Sequence, residues 1–151
     1  MRRIVSACLA IVFAALLAAP ARAELKPWDQ AKVTALAKQL SDASSVLYDA
    51  FNKQPKPGSS RLTRYYRLRE DVRRIRAGSR YLARALESGE GLDQTQPKYD
   101  DLMQTVRRAQ DNAGKVFITQ GVQEKADAAR AALNQITPYY AASATPPEPT
   151  R

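Results

Sequence analysis

Apolar residues recur along most of this chain at alternating steps of three and four, the spacing that places them on one face of a helix. Four segments carry the pattern. The first runs from about Trp28 to Phe51, with Val33, Leu36, Leu40, Ala43 and Leu47 on its stripe and with Pro27 and Asp29 as start signals. Pro55, Pro57 and Gly58 end it. The second runs from about Ser60 to Ser88 and carries Leu62, Tyr65, Leu68, Val72, Ile75, Ser79, Leu82 and Leu86, with Ser79 its one polar member. Gly89-Glu90-Gly91 is a stop, and Pro97 stands near the start of the third segment, whose stripe is Tyr99, Leu102, Val106, Ala109, Ala113 and Val116. After a short connection at Thr119 to Gly121, Val122, Ala126, Ala129, Leu133, Ile136 and Tyr140 mark the fourth, with Pro138 expected to fray its end. No alternating strand pattern occurs.

Amphipathic helices with one stripe each bury those stripes together as a bundle, and short connections favour antiparallel neighbours. The pattern therefore predicts an all-α, up-down-up-down four-helix bundle over residues 24–140. A Pro-rich tail over 141–151 has the composition of disorder. Gly78 in the second helix is read as a site of close packing or as a hinge, since a mid-helix glycine costs roughly 1 kcal/mol against alanine.

Residues 1–23 have a different logic. Arg2 and Arg3 form a basic start, an apolar run follows from Ile4 to Ala19, and Ala21-Arg22-Ala23 supplies small residues where a signal peptidase cuts. Sixteen apolar residues fall short of the roughly 20 that span a bilayer, so the segment reads as a signal peptide cleaved between Ala23 and Glu24. The protein is then periplasmic or secreted and is not an integral membrane protein. Val5-Ser6-Ala7-Cys8 resembles the residues around a lipoprotein cysteine, but only four residues, Met1 to Ile4, stand before it, too few for an apolar region, and the apolar run continues past it.

Composition then narrows the chemistry. The 151 residues contain no His and one Cys, and that Cys lies in the signal segment. Zinc and copper sites, covalent haem, and Ser-His or Cys-His catalysis lose their usual residues. Met103 falls beside the inner stripe rather than on it, and no Asp or Glu is expected at a mid-helix inner position, which leaves haem and di-iron sites without ligands. No cofactor, no metal and no catalytic residue is expected, and the protein is read as not an enzyme.

Charge is unevenly placed. Without Arg2, Arg3 and Arg22, 21 basic and 15 acidic side chains remain, and nine arginines with no lysine lie between Arg61 and Arg84 against only Glu70 and Asp71. At about 100° per residue, Arg69, Arg73, Arg76, Arg80 and Arg84 share one arc of about 80° with Tyr66, while Arg67 and Arg74 flank Tyr81 on the far side of the same face. These arginines are read in two ways. They are solvated and paired with acids on neighbouring helices, such as Asp42, Asp49, Asp100, Asp101 or Asp127, or they form a contact face. Arginine forks onto carboxylate or phosphate as lysine does not, so the second reading is a non-catalytic binding or adaptor protein that contacts an anionic envelope component or an acidic partner protein, with no role for nucleic acid. The alternative function is a carrier of a lipid-like or other apolar small molecule, for which Ala43, Ser79, Ala109, Ala113, Ala126 and Ala129 would leave a cavity between the helices.

Overall fold

The computed structural model describes residues 26–58 and 61–141. The expected signal peptide at 1–23 and the expected tail, apart from Ala141, lie outside the described residues. Four helices and no strand are present among the residues described: α1 (Gln30–Lys53), α2 (Leu62–Glu87), α3 (Leu92–Ala113) and α4 (Gln120–Tyr140). None is long and apolar enough to cross a membrane.

Each helix begins and ends where its local chemistry satisfies the backbone. The Asp29 carboxylate caps α1 by accepting from the Lys32 N–H at 3.0 Å. Gly89 closes α2 at φ +91°, where the lack of a Cβ removes the steric penalty. Its N–H donates to Leu86 O and that of Glu90 to Ala85 O, the paired bonds of a Schellman motif.

Both internal prolines behave differently from the sequence expectation. α3 starts at Leu92 rather than near Pro97, because Gln94 reaches back to accept from the Gly91 N–H at 3.1 Å and nucleates the first turn. Pro97 lies inside the helix but on its exposed side. Pro138 does not fray α4. Its carbonyl accepts from the Lys26 N–H at 3.2 Å, and the helix continues because Tyr139 and Tyr140 beyond it are buried.

Cross-helix pairs fix the directions. Gln30 Nε2, at the start of α1, donates to Leu86 O at the end of α2 and to Glu90 O in the turn just after it, while Phe51 at the other end of α1 stacks on Tyr65 at 5.2 Å. Asp71 and Asn112 join α2 to α3, and Trp28, just before α1, meets Tyr140 of α4 edge to face at 5.4 Å. Successive helices are therefore antiparallel. The core takes Val33, Leu40 and Leu47 from α1, Leu68, Val72, Leu82 and Leu86 from α2, Tyr99 and Leu102 from α3, and Leu133 and Ile136 from α4.

Polar Ser79 is accommodated on the stripe because its hydroxyl donates to Ile75 O at 2.8 Å and lies 3.1 Å from the equally buried Ser44 hydroxyl. Gly78 serves close packing. A Cβ there would stand 3.3 Å from Leu102 Cδ1, so its absence lets α3 approach α2.

The packing is unequal. α1 packs extensively against α2 and α4, and α2 against α3, but α3 and α4 barely meet. The bundle is open along that edge.

Candidate functional site

The open edge has a cause in side-chain size. At the end of the bundle where α3 begins and α4 finishes, the rings of Tyr99 and Tyr140 stack with centroids 4.2 Å apart and planes 5° from parallel. Each hydroxyl crosses to the opposite helix. Tyr99 donates to Thr137 Oγ1 at 2.9 Å and Tyr140 donates to Thr95 Oγ1 at 2.9 Å. Both threonine hydroxyls pass their own protons to backbone carbonyls, Thr95 to Gly91 O and Thr137 to Leu133 O. Two rings thus fill the space between α3 and α4 at this end. Toward the other end the residues lining the gap are Val106, Ala109 and Ala113 of α3 and Ala126 and Ala129 of α4, whose side chains are shorter than the tyrosine rings.

The result is an apolar groove of about 170 Å³. Leu40, Leu47 and Phe51 of α1 and Leu68, Val72 and Ile75 of α2 form its floor, and Ile118 from the α3–α4 connection stands at its end. The exposed side chains Gln110, Gln123 and Arg130 form its rim. Five of the six small residues considered for a cavity, Ser79, Ala109, Ala113, Ala126 and Ala129, line it, and Ala43 does not. Arg130 was missed in the sequence. It follows Ala129 directly and therefore sits about 100° around the helix from the stripe, where a cation borders the interior without entering it.

Burial holds both clasp tyrosines in the neutral form. The Tyr99 phenol is pushed above its ordinary value and that of Tyr140 up to about 12, in each case by desolvation, with the hydrogen bond to threonine acting in the opposite direction. A folded-state value raised above the unfolded one means that the stabilisation is fully present below the unfolded tyrosine pKa of about 10 and is lost as pH rises through the folded value. Stability measured by urea unfolding should therefore be unaffected by these groups near neutral pH and should fall between pH 10 and about 12. Tyrosinate absorbance that reaches its full amplitude while helical circular dichroism is unchanged would contradict this assignment.

The arginines of α2 divide into two ridges. Arg69 and Arg76 lie against α1, where Arg69 Nε donates to Asn52 Oδ1 at 2.8 Å and the Arg76 guanidinium covers the Tyr48 ring at 4.7 Å. Arg76 is half-buried and its Nε has no hydrogen-bond partner. Arg73 and Arg74 both pair with Glu70, at 2.7 and 3.1 Å. Those hydrogen bonds hold the half-exposed Glu70 carboxyl down at about 2.

On the side toward α3, Tyr66, Arg67 and Arg74 border a surface hollow with Asp71, Arg108 and Asn112. Tyr66 is thus placed with Arg67 and Arg74 as well as at the edge of the other arc. Tyr81 is exposed with the Lys98 ammonium over its ring at 5.3 Å. Among the described residues, Arg67, Arg80 and Arg84 make no side-chain hydrogen bond or ion pair.

Two expectations about acids are corrected here. Asp42, Asp49, Asp100, Asp101 and Asp127 do not pair with the α2 arginines. Glu70, three and four residues away on the same helix, takes Arg73 and Arg74 instead. Asp71, in the middle of α2, is buried although it lies off the stripe. It accepts from Arg108 Nε at 2.8 Å and from Asn112 Nδ2 at 2.7 Å, both on α3. Among the described residues, no three His, Cys, Asp or Glu side chains converge as metal ligands. Comparison with protein-family models, curated proteins and solved structures gives no match in any of the three.

Proposed function

We propose that this protein is a non-catalytic, exported carrier that holds the apolar chain of a small amphiphile between α3 and α4. The observation that carries the reading is the apolar groove of about 170 Å³ along the one edge where the bundle does not close. Its size limits the ligand. Apolar cavities of about 150 Å³ admit benzene-sized molecules, whereas sites for drug-sized ligands run from about 300 to 1,000 Å³. A slim alkyl segment or a pair of aromatic rings fits these limits and a sterol-sized ring system does not.

The rim supplies the other half of the recognition. Arg130 is half-exposed, held loosely by Asp127 at 3.2 Å, and positioned to pair with a carboxylate or phosphate head that stays in water. The export signal read in residues 1–23 supports a carrier that works in the periplasm or outside the cell.

Fluorescence titration with N-phenyl-1-naphthylamine, followed by displacement with decanoate, tests the reading. The parent chain should bind the probe and release it to decanoate. Ala126→Phe, which projects a ring into the groove, should weaken probe binding at least about tenfold while leaving Tm unchanged or raised, because it fills space that lacks neighbours. Arg130→Gln should weaken decanoate and spare the neutral probe. Equal binding of the probe by parent and Ala126→Phe, or none by the parent, would sink the proposal.

The alternative reading, an adaptor whose α2 arginines grip an anionic envelope component or acidic partner, is left with fewer free cations. Glu70, Asn52 and Tyr48 already occupy Arg73, Arg74, Arg69 and Arg76.

A further inference from the structure

The two ends of the bundle differ in charge, and the difference cuts across the helices rather than following α2. At the end where the groove is wide, residues 48–58, 61–67 and 108–125 contain eight Lys or Arg and three acids, Asp49, Asp111 and Glu124, a net of +5. At the tyrosine-clasped end, residues 26–38, 81–98 and 134–141 contain five Lys or Arg and four acids, a net of +1. The closed end also pairs its charges, through Lys98 with Glu90 at 2.6 Å and Lys38 with Glu87 at 2.9 Å. At the open end Lys53, Lys56, Arg61, Arg64, Lys115 and Lys125 are all exposed. Among the described residues these six form no ion pair.

A second feature belongs to the same end. Phe117, in the connection between α3 and α4, is 66% exposed although Val116 and Ile118 on either side pack against the core. The turn is anchored from below, where the Thr119 N–H donates to Gln54 Oε1 at 3.3 Å, so the phenyl ring is held outward. An apolar ring presented by an anchored turn, at the same end of the bundle as the unpaired cations, matches the boundary of an anionic bilayer. There lysine and arginine meet the phosphates, and an aromatic ring enters the acyl edge.

We infer that the open end of the bundle docks on the surface of an anionic lipid membrane, with Phe117 inserted and Lys53, Arg61, Arg64 and Lys115 on the head groups. The docking rests on charge and exposure alone. That it brings the groove to the source of its ligand rests on the carrier reading, since Ile118 ends the groove one residue from Phe117.

Co-sedimentation of the exported chain, beginning at Glu24, with vesicles of equal parts phosphatidylglycerol and phosphatidylcholine tests the docking. The chain should bind these vesicles, release them as sodium chloride is raised, and ignore vesicles of pure phosphatidylcholine. Changing Lys53, Arg61, Arg64 and Lys115 together to Gln should weaken binding by about a hundredfold or more, since each cation near such a surface contributes roughly a fivefold factor. Phe117→Ser should weaken it with net charge unchanged. Arg80→Gln with Arg84→Gln, away from this end, should leave it within about threefold of what the parent shows.

The inference is overturned if the fourfold Gln variant binds like the parent. It is equally overturned if the Arg80 and Arg84 changes are as damaging as the end cluster, or if the parent ignores anionic vesicles, an outcome that would direct the search to acidic proteins. Naphthylamine binding by each variant reports the groove separately. Vesicle binding without probe binding would end the carrier reading and keep the docking, and the reverse result would do the opposite.

Discussion

Replacing Tyr140 by alanine should cost about 4 to 5 kcal/mol of folding free energy, among the largest losses any single change in this protein can produce. Truncation of a fully buried large aromatic costs roughly 3 to 5 kcal/mol, and aromatic pairs add roughly 0.5 to 1.5 kcal/mol. Tyr140 is 1% exposed, stacks on Tyr99 and takes the edge of Trp28. At roughly 4 °C per kcal/mol for a domain of this size, Tm should fall by about 15 to 20 °C.

Tyr140→Phe separates the causes. It keeps both ring contacts and removes only the bond to Thr95, which still donates to Gly91 O, so the loss should be near 1 kcal/mol. Val106→Ala, at the other end of the same edge, should cost less than Tyr140→Ala by several fold, because a groove-lining side chain already lacks neighbours on one side. A Val106→Ala loss as large as that of Tyr140→Ala in urea unfolding would mean that α3 and α4 close on each other in solution.

The helical stripes could be read from the sequence because burial and the 3.6-residue period are local. Val33, Leu68, Leu82, Leu133 and Ile136 all lie where the spacing puts them. What the spacing leaves undetermined is how far apart two stripes stand. Tyr99 and Tyr140 were legible as inward residues, but that they stack on each other between α3 and α4, and thereby hold open the alanines further along, depends on the register of two helices separated by about forty residues in sequence.

The same limit applies to the arginines. Their two arcs follow from rotation about the helix. Their partners depend on competition between Glu70, on the same helix, and acids on other helices whose distance no periodicity reports. Asp71 escaped notice because it lies beside the stripe, and only the close approach of α3, permitted by Gly78, covers it.

That covering makes a second large effect expected at a residue that looks expendable. Arg108 is 48% exposed by side chain, while its partner Asp71 is 7% exposed. Removing the two members of the pair should therefore have unequal consequences. Asp71→Leu frees Arg108 to turn into water, leaves no charge buried, and sets an apolar side chain beside Tyr66 and the stems of Arg67, Arg74 and Arg108, so its cost should be within about 1 kcal/mol. Arg108→Ala instead leaves a carboxylate under α3 with Asn112 as its one remaining hydrogen-bond donor. Stranding a buried charge costs roughly 3 to 5 kcal/mol, and the trace of solvent at Asp71 together with the Asn112 bond lowers the expected loss to about 2 to 4 kcal/mol. The cost should vanish once the carboxylate is gone, so that Arg108→Ala made in the Asp71→Leu background changes stability by less than about 0.5 kcal/mol. Urea unfolding of the two single variants and the double variant measures all three quantities. A loss from Arg108→Ala that persists in the Asp71→Leu background would show that Arg108 acts through the packing of its stem on α3, and that the buried carboxylate does not depend on it.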